Sequence, residues 1–126
     1  MKETNFETRI ERILAAPLAK DAIRRWPQSG EVIRGKARIS QVEAHFTNFK
    51  LGITRRHSFG DVIAVEWSAE YGDGRVFRNV SIGERLEGKV VRVTDYWGEP
   101  FTPPKWRDGM SDHEDVRPHA DELARA

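Results

Sequence analysis

The chain has 126 residues, and 21 Lys and Arg against 20 Asp and Glu leave a net charge of +1, which argues against the basic footprint of a nucleic-acid binder. Hydrophobic residues make up 38% and charged residues 33%, the profile of one strongly hydrated globular domain. Cysteine is absent, so disulfide scaffolds, thiol nucleophiles and cysteine-based zinc sites are excluded, and no apolar run approaches the ~20 residues of a membrane span. A polar N-terminus without the apolar core of a signal peptide sets the expectation of a cytoplasmic protein.

In chain order, Thr4 and Glu7 have the spacing of a capping box, in which hydroxyl and carboxylate each satisfy a free backbone N–H. Phe6, Ile10, Ile13 and Leu14 then fall on one face of a helix. Pro17 stops it, and Leu18 is expected to carry the apolar face into a second short helical turn. The chain becomes extended from Ala22 to Trp26, because Pro27 biases Trp26 away from helix. Gln28-Ser29-Gly30 reads as a turn and Glu31 to Arg34 as a short strand. A second helix follows Gly35 and ends near Asn48, with Ile39, Val42 and Phe46 on its apolar face and Arg38, Gln41 and Glu43 on the other.

From Phe49 the period changes. Turn signals at Gly60-Asp61, Gly72-Asp73-Gly74 and Glu87-Gly88 cut the chain into extended segments at 49–58, 62–71, 75–86 and 89–97. In the second, Ile63, Val65, Trp67, Ala69 and Tyr71 alternate with Glu66, Ser68 and Glu70, so one face is apolar. That face needs a cover, and the two N-terminal helices are the available ones. The expected fold class is α+β, a curved antiparallel β-sheet wrapped around N-terminal helices, cone-shaped with an internal pocket. The domain spans 1–107. Residues 108–126 hold six acidic and two basic residues, which gives this tail −4 and leaves +5 on the body; the tail is expected to be mobile or a weak surface helix.

Several strings carry a resemblance. They are Trp26-Pro27-Gln28-Ser29-Gly30-Glu31 with Ile33-Arg34-Gly35, then Asn79-Val80-Ser81-Ile82, and the run Gly88-Lys89-Val90-Val91-Arg92-Val93-Thr94-Asp95-Tyr96-Trp97 followed by Glu99-Pro100-Phe101 and Pro104-Lys105-Trp106-Arg107. In order and spacing the chain resembles the nuclear transport factor 2-like superfamily, and within it the SnoaL-like (polyketide-cyclase-like) branch. The resemblance implies a cone whose sheet curls around a pocket. It does not imply one reaction, because relatives include ketosteroid isomerases, polyketide cyclases, epoxide hydrolases, dehydratases and proteins that only bind or dimerise.

Asp95 is the leading catalytic candidate. It shares a face with Val91, Val93 and Trp97, and a carboxylate among apolar neighbours is suited to proton transfer near neutral pH. The resemblance adds that some relatives place an acidic base or acid here, in an acidic-Tyr-aromatic string that Asp95-Tyr96-Trp97 matches. The competing reading has Asp95 accept bonds from an Arg or a backbone amide and order the sheet. Asn79 is the second candidate, an amide able to bond a carbonyl or developing enolate, with structural glue as its competing role. Trp26, Trp67, Tyr71 and Trp97 are the expected ligand-binding wall, with His45 as the weakest candidate partner. No second carboxylate is placed in the cone by the pattern.

No His pair has the i, i+4 spacing of a zinc motif, and there is no phosphate loop or Gly-x-Ser-x-Gly elbow, so neither metal nor cofactor is expected. Two functions remain open. One is a cofactor-independent isomerase, cyclase, dehydratase or epoxide hydrolase acting on a hydrophobic carbonyl or terpenoid-like substrate. The other is a non-catalytic ligand-binding or dimerisation module. An open pocket of about 300 Å³ or more with Asp95 inside and its pKa raised would support an enzyme or a ligand binder, whereas a cone filled by Trp26, Trp67 and Trp97 would sink both for the cone and leave a structural or interaction role. A homodimer is expected through the outer sheet face, where Val62, Ala64, Val80 and Ile82 point away from Trp67 and Asn79; neither nucleic acid nor membrane is an expected partner.

Overall fold

The structure, a computed structural model, describes residues 6–114. Helix α1 (Arg9–Leu14) leads into strand β1 (Leu18–Trp26), and a tight turn returns as β2 (Glu31–Arg34). Helix α2 (Lys36–Glu43) follows, then four long strands, β3 (Phe49–Phe59), β4 (Val62–Tyr71), β5 (Val76–Leu86) and β6 (Lys89–Gly98), and a single 3-10 turn at Lys105–Arg107. One six-stranded sheet has the order β2-β1-β6-β5-β4-β3. It makes the α+β cone expected from the pattern, and the four strand segments lie within a residue of their expected bounds. No helix among the described residues is long and apolar enough to cross a membrane.

Three local expectations are corrected. The helix starts one turn later than Thr4–Glu7: Thr8 caps it, with its hydroxyl accepting from Glu11 N–H at 3.2 Å and the Glu11 carboxylate accepting from Thr8 N–H at 2.8 Å. Glu11 also accepts from Glu7 N–H at 3.0 Å and Leu18 N–H at 2.8 Å, so with Thr8 N–H the later box serves three backbone donors with one side chain. Thr4 lies outside the described residues. Leu18 is not in a second helical turn, because Val90 N–H donates to Pro17 O at 2.8 Å and draws Leu18 into register with β6. That pairing of β1 with β6 is parallel, so the sheet is mixed and not wholly antiparallel. Helix α2 ends at Glu43 rather than near Asn48. Of the tail, 115–126 lies outside the described residues.

The core sits between the concave face of the sheet and the helices. Ile10, Ile13 and Leu14 of α1 and Ile39 of α2 meet Ile63, Val65, Trp67 and Ala69 of β4 with Val90 and Val93 of β6. Leu14 enters where β5 carries Gly83, and a Cβ at that glycine would lie 2.9 Å from Leu14 Cδ1. The missing side chain on the third long strand is therefore what lets α1 seat on the sheet.

Candidate functional site

Alternation on β1 turns Ala22, Arg24 and Trp26 inward, which puts a guanidinium on an apolar face. A buried charge demands partners, and two carboxylates supply them. Arg24 Nε donates to Asp95 Oδ2 on the neighbouring β6, and Arg24 Nη1 donates to Glu43 Oε2 at 3.0 Å. Asp95 is fully buried. Its Oδ2 also accepts from Trp26 Nε1 at 2.8 Å and its Oδ1 from the Ser81 hydroxyl, which in turn accepts from Trp67 Nε1 at 2.8 Å. Glu43 further accepts from the backbone N–H groups of Arg9 at 2.7 Å and Ile10 at 2.9 Å. The result is a closed network, carboxylate–guanidinium–carboxylate, that staples β1 to β6 and to the first turn of α1.

Arg9 joins from the helix side. It donates to the carbonyls of Glu43 and Phe46 and lies 4.8 Å above the Phe49 ring. Burial pushes its guanidinium below the ordinary value, against the pull of Glu43 in the other direction.

Glu43 is the second carboxylate that the pattern did not place. The pattern groups it with Arg38 and Gln41 on the polar side of α2, yet it stands four residues after Ile39 and so shares that residue's face. Arg24 was likewise legible from its place between Ala22 and Trp26.

Among the described residues, little space remains beside this network. The cavity beside this network measures about 20 Å³ and touches Arg24, Glu43, Phe46 and the tryptophans 26, 67 and 97, enough for one water-sized group and no substrate. The aromatic rings fill the rest: Trp26 and Trp97 meet edge-to-face at 5.7 Å, Trp67 and Trp97 at 5.8 Å, and Phe46 lies 5.7 Å from Trp97. On the outer side of Trp26, Phe46 and Trp97 there is a cleft of about 380 Å³ at the mouth of the cone, walled also by Phe77, Gln28, Ser29, Glu31 and Glu99. Gln28 fixes one wall, donating to Trp97 O at 2.8 Å and accepting from Trp97 N–H at 2.6 Å.

The candidate residues thus divide. Trp26 and Trp97 wall the mouth cleft, and Trp67 is buried below them. Tyr71 lines a separate cleft of about 560 Å³ with Phe49, Asn48 and Lys50 at the β4–β5 turn. His45 is exposed at the end of α2 and lines none of these clefts. Asn79 is buried beside Trp67 and Trp97; its Oδ1 accepts from Gly98 N–H at 3.2 Å, and its Nδ2 has no partner among the described residues. No cluster of three metal-ligating side chains occurs among the described residues.

No family model and no curated protein matches the chain. Solved structures do. An NTF2-like protein of unknown function from Burkholderia xenovorans LB400 is 32% identical, with 83% of this chain and 80% of that one covered and a TM-score of 0.68. A proposed ketosteroid isomerase from Kribbella flavida DSM 17836 is 30% identical over 78% of this chain and 73% of that one, with a TM-score of 0.70. The chain belongs to the nuclear transport factor 2-like superfamily. More distantly, a protein of ketosteroid isomerase-like fold from Catenulispora acidiphila DSM 44928, solved in complex with trimethylamine, shares the fold at 18% identity, 64% and 69% coverage and a TM-score of 0.52. SnoaL-like proteins are among the structures of the same fold.

Proposed function

We propose that this NTF2-like protein is a small-molecule binder whose ligand rests in the mouth cleft against Trp26, Phe46, Phe77 and Trp97. The observation that carries the reading is the contrast in space, about 20 Å³ beside the Arg24 network against about 380 Å³ outside the aromatic layer. Asp95, with three side-chain donors on its oxygens, serves in this reading as the anchor of the wall and not as a proton-transfer group. The protein works without a cofactor, in the cytoplasm, as a homodimer through the outer sheet face where Val80 pairs with Tyr96 beside Ile82. The Catenulispora structure supports the small-molecule part, since a ligand of that size is bound to a protein of this fold.

The test is an NMR titration with a panel of small hydrophobic carbonyl and terpenoid compounds. Shifts of the Trp26 and Trp97 indole signals with Trp67 unmoved are the expected result. Shifts centred on Trp67, or none with either this panel or organic ammonium ions, overturn it.

One observation favours a second reading, a cofactor-independent isomerase or cyclase using Asp95 and Asn79: the unpartnered Asn79 Nδ2. A buried idle donor is costly, by about 1–3 kcal/mol, and a substrate oxygen would satisfy it. Turnover of any panel compound that Asp95→Asn abolishes, in a variant that remains folded, would establish that reading over the first.

A further inference from the structure

Resting on the reading of the mouth cleft as a ligand site, we infer that its ligand is an alkylated organic cation, a tertiary or quaternary ammonium compound free in solution. The cleft presents ring surfaces of Trp26, Phe46, Phe77 and Trp97, and among the described residues its charged lining consists of the Glu31 and Glu99 carboxylates without a cationic side chain. This sits on a body of +5, so the local sign opposes the average one. Aromatic faces carry negative quadrupoles and attract cations. The protein already shows that attraction at two of these rings, with the Arg24 guanidinium 5.5 Å from Trp26 and that of Arg75 5.5 Å from Phe77.

The neighbouring guanidiniums do not cancel the field. Arg24 is neutralised by Asp95 and Glu43 on the inner side of the wall, and Arg75 is paired with Asp73 at 2.7 Å.

Hydrogen bonding narrows the class. The Gln28 amide is spent on Trp97, the Trp26 indole N–H on Asp95, and the Ser29 hydroxyl donates to Glu31 Oε1 at 2.6 Å. A carboxylate or phosphate ligand would meet two like charges there. A primary ammonium would surrender strong hydration for ring faces that cannot accept three N–H bonds. A methyl-clad ammonium has diffuse charge and little hydration to lose, and it matches both the rings and the carboxylates. The same argument separates free cations from lipid headgroups, because a phosphocholine places its phosphate within reach of Glu31 and Glu99.

The experiment titrates the full chain with choline and with its neutral carbon isostere, 3,3-dimethylbutan-1-ol, reading the Trp26 and Trp97 indole signals. Choline is expected to bind about tenfold tighter, the scale of a cation–π contact reinforced by charge. The exposed pair Glu31→Gln/Glu99→Gln is expected to erase that preference while leaving the melting temperature in place, and added salt to weaken it. Phosphocholine is expected to bind more weakly than choline, and phosphatidylcholine vesicles not to co-sediment the protein. Equal or tighter binding of the isostere overturns the cation inference and leaves the mouth cleft as a neutral apolar site. Co-sedimentation with vesicles overturns the free-cation source. If neither probe moves the indole signals, the cation inference fails; the neutral compound panel then decides separately whether the cleft binds anything.

Discussion

The Trp26 indole donates its N–H to Asp95 at 2.8 Å, joining the wall of the mouth cleft to the buried carboxylate at its base. Trp26 therefore lines the mouth cleft while its polar edge is committed to the ion network. The two functions that compete for Asp95, proton transfer and architecture, differ in what its removal does.

Asp95→Asn keeps the shape and removes the charge opposite Arg24. Breaking one partner of a buried pair costs about 3–5 kcal/mol, and because Glu43 still holds Arg24 at 3.0 Å the loss expected is at the lower end, about 3 kcal/mol by urea denaturation. A loss below about 1 kcal/mol would show that Glu43 alone compensates Arg24 and that Asp95 is not the architectural anchor.

Gly83→Val should destabilise the fold by about 1–3 kcal/mol through overpacking, since even its Cβ meets Leu14 at 2.9 Å. A double-mutant cycle with Leu14→Ala checks the cause. The combined loss should fall short of the sum, because truncating Leu14 makes room for the valine; simple additivity would place the strain elsewhere.

Glu11 gives a pH dependence of known sign. Burial works to raise its carboxyl, and the hydrogen bonds from Leu18 N–H, Thr8 N–H, the Thr8 hydroxyl and Lys36 outweigh it, so the group is held below the ordinary value. With the folded value depressed, its contribution is complete above the ordinary carboxylate range and is lost as pH falls through that range to the folded value. The stability gap between the native chain and Glu11→Gln should therefore be widest near neutral pH and shrink as the pH is lowered toward about 3. A gap that is flat or widens on acidification would contradict this. Thr8→Ala, which removes one of those donors and the helix cap, should cost about 1 kcal/mol in the same assay.

The proposed homodimer is checked by light scattering at micromolar concentration. Val80 and Tyr96 are paired on the outer face and both are open to solvent in the single chain. Val80→Asp places a charge in the middle of that patch, so a dimer mass for the native chain and a monomer mass for the variant are expected. A monomeric native chain removes the interface.

Much of the cone was legible because long strands announce themselves twice, by alternation and by glycine turns. Ile63 to Tyr71 is the plainest case, and the strand found there is β4 at the expected bounds. What failed was information that no local window contains. Leu18 looks helical beside Leu14 until Val90, far along the chain, claims the backbone of Pro17. Glu43 and Arg24 fall on inward faces by their local spacing, but the partners that satisfy those buried charges lie in distant segments, with Arg24 held by Glu43 and Asp95. Each member of the network is an anomaly alone and is explained only by the other two. The tryptophans were recognised as one aromatic set, but volume decides whether such a set lines a pocket or fills it, and volume is not written in residue spacing.

The parallel junction of β1 with β6 also sets an order of events. Arg24 and Asp95 lie 71 positions apart, and β6 is made after the other five strands of the sheet. Until it does, β1 has only β2 beside it, Arg24 lacks one of its two carboxylates, and β5 offers an open edge. Closure of so distant a contact is expected to slow folding for the size of the domain and to defer its gain in stability until β6 has been made. A nascent chain arrested before β6 is therefore expected to be the form most exposed to proteases and to edge-to-edge association.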